Sequence, residues 1–306
     1  MVVVAFIAFG LFNYTGDPVQ FMVGQDTTME ERQKLRAELG LDKPFYVQFV
    51  RYLGNAMQGE FGLSLRQARK VSTLIKERLP ATLELATSAA LLALFIGIPL
   101  GVYTALRRNS WLSHVLLAGS LIGVSLPTFL IGILLILIFA VQLGWLPSFG
   151  RGDTVALGWW TTGLLTKSGL KALILPSITL SLIQMTLIMR LVRSEMLEVL
   201  RTDYIKFARA RGIAERSVYF RHALRNTLIP VITVAGLQLG ALIAFSIITE
   251  TVFQWPGLGL LIIQAITFGD MPVIAAYLLL VALLFVSINT AVDLLYFRVD
   301  PRVRLK

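Results

Sequence analysis

Groups able to make or break bonds are scarce in this 306-residue chain. It has no cysteine, which removes disulfides, thiolate metal sites and thiol catalysis. Its two histidines, His114 and His222, are too few and too far apart for a histidine metal centre. No Gly-x-x-x-x-Gly-Lys-Ser/Thr loop occurs, so nucleotide phosphates have no P-loop cradle here. HExxH and Gly-x-Ser-x-Gly are missing as well. What the residues do support is recognition by charge and shape. Across residues 203–230, Lys206, Arg209, Arg211, Arg216, Arg221, Arg225 and, when protonated, His222 stand against Asp203 and Glu215. Long apolar runs flank this stretch on both sides, and it must sit in water.

Two helical patterns meet in it. Tyr204, Phe207, Ala208 and Arg211 share one face, and after Gly212 another face runs through Ile213, Phe220, Leu224 and Leu228. Gly212 is the natural break, because glycine takes positive φ without a Cβ penalty. A helix-glycine-helix plug anchored to membrane spans is suited to a groove on a soluble partner. The plainer reading is a topogenic loop, since cytoplasmic loops are basic for insertion reasons alone. The arrangement of the residues carries more than their charge.

The elements that position this loop follow from hydropathy. With 56% hydrophobic residues and a mean hydropathy of +0.74, the chain is an integral membrane protein. Its net charge of +10 is the charge of cytoplasmic loops, and we exclude nucleic acid as a partner. Residues 1–14 are apolar but cover only roughly 20 Å as helix, short of a ~30 Å hydrocarbon core. Either the first helix begins upstream or the start is truncated; a cleaved signal peptide would need a basic start, which is missing. Residues 15–79 are polar, with nearly balanced charge. Within them Thr28-Met29-Glu30-Glu31 reads as a capping box opening a helix that ends at Gly40. Pro44 starts another helix, with Tyr46, Val50, Leu53 and Met57 on one stripe. A third amphipathic pattern, Val71, Leu74, Ile75 and Arg78, leads into the next span.

Residues 81–106 form a span closed by Arg107-Arg108, a cytoplasmic end. Residues 112–143 would run roughly 48 Å as helix, too long for one upright crossing and too short for two. They read as one crossing with a bent approach, broken near Ser125-Leu126-Pro127. Trp145, Trp159 and Trp160 suit the outer interface. Residues 172–193, 228–250 and 272–297 supply the remaining spans, and Gly236 and Gly240 would admit a neighbouring helix. The segment 250–270 has no basic residue and belongs outside. Its Pro256-Gly257-Leu258-Gly259 break precedes a short apolar helix, as in a re-entrant or interfacial piece. Phe253, Trp255, Pro256, Gly257 and Gly259 read as a gate or as a plain outer loop. Glu84, Glu250 and Asp293 lie close to span ends, where interfacial placement is expected, with Asp293 paired to Arg298.

The details resemble one family. Ala208-Arg209-Ala210-Arg211-Gly212, followed by Arg221-His222-Ala223-Leu224-Arg225-Asn226 and Pro230, is similar to the EAA loop of binding-protein-dependent ABC importer permeases of the peptide/nickel branch. Gly16-Asp17-Pro18, Gly40-Leu41-Asp42-Lys43-Pro44 and Gly59-Glu60-Phe61-Gly62-Leu63-Ser64 resemble its extracytoplasmic segment, and the stretch after Glu250 and the Asp300-Pro301-Arg302 tail fit it too. Ala208 stands where the general motif has an acidic residue.

The resemblance implies an all-α polytopic membrane protein with six transmembrane helices, the type I ABC importer permease fold and a small extracytoplasmic helical segment. Residues 1–14 would be the first helix, 15–79 the extracytoplasmic segment facing a binding protein, and 80–306 the core, with both termini cytoplasmic. The loop at 194–227 would couple to ATPases through Ala208, Arg209, Ala210, Arg211, Gly212, Glu215 and Arg216. Implied partners are a second homologous permease, two ABC ATPases holding ATP and Mg, an extracytoplasmic solute-binding protein and membrane lipid. No cofactor is expected on this chain, and no bond chemistry. The setting would be the cytoplasmic membrane of a bacterium or archaeon, and the solute a peptide or similar small molecule. A secondary transporter or channel is the alternative, and would need an ionisable path through the spans.

Overall fold

Apolar runs in a solvent without water must satisfy their backbone internally, and the chain does so as helices. The computed structural model describes residues 2–14, 33 and 43–299. Helix α1 (Val2–Tyr14) packs on the last helix of the chain and on α2 (Phe45–Met57), which follows Pro44 as expected. The packed face of α2 differs from the expected stripe. Phe45, Phe49 and Tyr52 meet Phe6 and Phe9 of α1 with ring centroids 5.0–5.7 Å apart, whereas Tyr46, Val50 and Met57 are exposed. Aromatic partners on α1 chose the face. The capping box at Thr28-Met29-Glu30-Glu31, Gly40, Gly16-Asp17-Pro18 and the Asp300-Pro301-Arg302 tail lie outside the described residues.

Helix α3 (Val71–Leu106) organises the rest. Its 36 residues run about 54 Å, so the third amphipathic pattern and the following span are one helix. Small residues recur at four-residue spacing along it: Ala89, Ala93, Gly97, Gly101 and Ala105, all buried. They admit α6 (Lys167–Val199) at close range. A Cβ on Gly101 would lie 2.6 Å from Val192 Cβ and 2.8 Å from the Met189 carbonyl.

Between them, α4 (Trp111–Ser125) and α5 (Thr128–Leu135), continued by π turns over Ile136–Gln142, bend by 107° at Leu126-Pro127. Pro127 cannot extend α4, and the break falls where the sequence placed it. A hairpin, β1 (Val155–Leu157) and β2 (Trp160–Thr162), pairs antiparallel with Leu157 opposite Trp160. That small sheet was not foreseen.

After α6 come α7 (Asp203–Ala210), a turn at Glu215–Ser217 with π geometry over Val218–Ala223, then α8 (Leu224–Val252), α9 (Leu258–Phe268) and α10 (Met271–Val299). Gly236 and Gly240 of α8 face Val292 and Phe285 of α10, where a Cβ would sit 2.4 and 2.5 Å from their side chains. Helix packing accounts for both. Among the described residues four helices, α3, α6, the helix from Glu215 to Val252 and α10, are long and apolar enough to cross a membrane, and the bent α4–α5 pair makes a fifth when counted as one span.

Three apolar clusters are strung along α3. Val102 and Ala105 share one with Val192, Met196, Ile205 and Ala208; Leu85 and Ala89 share the next with Leu173, Leu242 and Trp255; Val71 and Leu74 share the third with Leu258, Leu261 and Ala276. One helix thus touches the basic loop at one end and the turn at Trp255–Leu258 at the other.

Candidate functional sites: the basic loop and the outer turn

Helix α7 opens with Thr202 at its N-cap position and ends at Arg211, after which Gly212 turns the chain with φ of +75°. The Gly212 N–H donates to Arg209 O, and Ile213 N–H to Ala208 O. The turn is therefore where the sequence placed it. Its faces are not. Ile205 and Ala208 point inward and are buried, while Tyr204, Phe207 and Arg211 are exposed together. On the far side of the turn Ile213, Leu224 and Leu228 pack against the core, but Phe220 faces out and Val218 and Ala223 take the buried positions. The π turns over Val218–Ala223 shift the register there, which a 3.6-residue period does not anticipate.

The exposed face of the loop carries Lys206, Phe207, Arg209, Ala210, Arg211, Gly212, Glu215 and Arg216. Two internal ties hold its shape. Arg209 Nε donates to Glu215 Oε1 at 2.9 Å, and Lys206 Nζ to Asp203 Oδ1 at 2.8 Å. The hydrogen bond from Lys206, with its charge, holds the Asp203 carboxyl below its usual range; the bond to Glu215 raises the Arg209 guanidinium. Tyr204 fixes α7 to the next helix, its hydroxyl donating to His222 O at 3.2 Å and accepting from Asn226. Arg211 lies 5.7 Å from the Phe207 ring centroid, which leaves a cation and an aromatic ring on one exposed patch. Ala208, by contrast, is a packing residue.

At the other end of α3, Phe253 and Trp255 are almost wholly buried, and the turn they sit in is tied from several sides. Trp255 Nε1 donates to Ala81 O at 2.9 Å, and Gly150 N–H to Phe253 O at 2.9 Å. The break before α9 and its short apolar helix follow the expectation.

Glu84 and Glu250 are both buried within the protein, which the sequence did not foresee. Glu84 is paired with Arg151, which also donates to Thr161 O, and Glu84 Oε1 accepts from Gly163 N–H at 2.9 Å. Glu250 is enclosed by hydroxyl and backbone donors. Buried carboxylates are tolerated when their oxygens are filled, and here the donors come from segments distant in sequence. A third, Asp270, accepts from the Ser64 hydroxyl and from Leu65 N–H at 3.2 Å, fixing the loop before α3 to the α9–α10 turn. Arg66 then stacks 3.5 Å from the Phe268 ring centroid. Asp293 is exposed, and the side chain of Arg298 lies outside the described residues.

Long apolar helices, an exposed basic loop packed on two of them and a buttressed turn at the other end of α3 are the make-up of a multi-pass membrane protein. The chain belongs to the family described as binding-protein-dependent transport system inner membrane component, matched over residues 97–305; residues 1–86 match the N-terminal part of such membrane components. It is 42% identical over 301 residues to the dipeptide transport system permease protein DppB of Alkalihalophilus pseudofirmus, covering 94% of this chain and 90% of that one. The di/tripeptide transport system permease protein DppB of Pseudomonas aeruginosa is 44% identical over 304 residues, with the same coverage. Among solved structures, an inward-facing MetNI methionine ABC transporter superposes with a TM-score of 0.57 at 22% identity, over 74% of this chain and 96% of that one. The fold is that of a type I ABC importer permease, and the protein is a multi-pass inner membrane protein.

Proposed function

We propose that the chain is the permease subunit of an ATP-driven importer of peptides or similar small solutes. It would form half of the pathway with a second, homologous permease. Two ATPase subunits would bind ATP and Mg, and an extracytoplasmic binding protein would deliver the solute. The names of the relatives support the solute class. In this reading α1 completes six crossings, both termini are cytoplasmic, and residues 15–79 belong to the outer face.

The observation that carries the mechanism is the packing of the loop. Ile205 and Ala208 share one apolar cluster with Val102 and Ala105 of α3 and with Val192 and Met196 of α6. A load applied to the exposed face of α7 therefore reaches both long helices directly. Arg209, Arg211 and Arg216 contact the ATPase in this account, with Ala210 and Glu215 beside them and Gly212 setting the turn. Closure of the ATPases around ATP then rocks α3 and α6 and alternates access, with no bond broken on this chain. Phe253, Trp255, Pro256, Gly257 and Gly259 form the outer segment that must respond. A cysteine placed at Arg211 tests the docking: cross-linking to an ATPase subunit in native membranes is expected, and its absence, when cysteines elsewhere on the loop also fail, would remove the coupling role.

A further inference from the structure

Glu250 is a fully buried carboxylate that the mechanism above leaves without a task. Its Oε1 is bonded to the Thr82 hydroxyl at 2.7 Å and the Ser246 hydroxyl at 3.1 Å, and its Oε2 accepts from Leu260 N–H at 3.0 Å. Thr82 in turn accepts from Leu258 N–H at 2.7 Å. Leu258 and Leu260 belong to the first turn of α9, whose opening N–H groups have no acceptor within their own helix. Thr82 of α3 and Glu250 of α8 thus cap α9 together, across three helices. The space is shaped for this. A Cβ on Gly257 would lie 2.4 Å from Glu250 Oε2, and one on Gly259 would lie 2.9 Å from the same oxygen and 2.6 Å from Ile247 Cα. The two glycines of the Pro-Gly-Leu-Gly break are therefore where the carboxylate reaches the backbone.

We propose that Glu250 is a positioning residue of the transport cycle: through Thr82 it binds the outer turn and the first turn of α9 to α3, so that the turn moves with α3 and not as an independent flap. The proposal rests on the importer reading for its role in the cycle, and on the geometry alone for the clasp. Both oxygens are used, one toward Thr82 and one toward Leu260, so an acceptor is needed at each. Leucine at position 250 has no acceptor at all and leaves the buried Leu260 N–H unpaired. Valine at position 82 keeps the shape but leaves the Leu258 N–H without its acceptor and Glu250 Oε1 with the Ser246 hydroxyl alone, whereas serine keeps the hydroxyl.

The chain has no cysteine, so spin labels can be confined to Leu91→Cys on α3 and Ile266→Cys on α9, both exposed positions. Distances between them are measured in the assembled complex, nucleotide-free and with ATP trapped, alongside ATP hydrolysis with and without the binding protein. One narrow distribution, the same in both states, is expected for the parent and for Thr82→Ser. Thr82→Val and Glu250→Leu should broaden it and reduce stimulation by the binding protein about tenfold, the effect of an unpaired buried donor. Parent-like distributions in Thr82→Val and Glu250→Leu would overturn the proposal, as would a parent distance that shifts between the two states. If Glu250→Leu does not accumulate, the contrast between Thr82→Val and Thr82→Ser decides. If no ATPase assembles with the chain, the importer reading fails, while the same distances in the purified chain still judge the clasp.

Discussion

The Arg151 guanidinium lies against the Glu84 carboxylate with both side chains buried, joining the strand hairpin to α3. A pair of this kind is costly to halve. Removing one partner leaves an uncompensated charge, at about 3–5 kcal/mol, while replacing both with neutral groups is often close to harmless. Arg151→Met should therefore lower the unfolding temperature of the detergent-solubilised protein sharply, and Glu84→Gln combined with Arg151→Met should recover most of the loss. A double variant as unstable as the single one would show that the hairpin is held by something other than this pair.

Gly101 meets Val192 so closely that a side chain has no room, with the Met189 carbonyl on the other side. Gly101→Leu is expected to force α3 from α6 and abolish accumulation in the membrane. Gly119→Ala on α4, where nothing lies within 4 Å, serves as the comparison and should accumulate normally. Immunoblots of membrane fractions read both.

Much of this arrangement is legible in the sequence, and the exceptions have a common cause. Gly212, the Leu126-Pro127 bend and the Pro256-Gly257 break were visible because proline and glycine constrain the backbone locally, whatever surrounds them. The basic loop was visible as an arrangement of residue types. The Ala89–Ala93–Gly97–Gly101–Ala105 stripe was present as a spacing of small residues and was passed over, although it sets the tightest helix contact. Glu84, Glu250 and Asp270 could not be placed, since their donors lie 67, 168 and 206 residues away in sequence. The outward turn of Phe220 depends on π geometry over Val218–Ala223 that no period announces.

Gly212 holds a left-handed backbone in open space, so its requirement is conformational and not steric. A β-branched residue there carries a penalty of roughly 1–2 kcal/mol, and asparagine a smaller one. Gly212→Val should insert and accumulate yet separate ATP hydrolysis from uptake of a labelled dipeptide, with Gly212→Asn intermediate. Normal coupled uptake in the valine variant would count against the coupling role.

Arg209 and Glu215 are both exposed, and a pair screened by solvent adds little to stability. Exchanging them, Arg209→Glu with Glu215→Arg, should leave the unfolding temperature within a degree or two of the parent. Uptake driven by ATP should nevertheless fall, because the cation then stands in a different place on the docking face. Full activity in the exchanged variant would mean that the pair only shapes the loop.

The central claim is that this chain works only in company. The most direct measurement is a mild-detergent purification of the tagged chain from its native membrane, with the co-purifying proteins identified and ATP hydrolysis assayed. Recovery of ATPase subunits and a second, homologous permease, with hydrolysis that Gly212→Val does not abolish, is the result the account predicts. Recovery of the chain alone, without hydrolysis, under conditions that keep other such complexes intact, would contradict it.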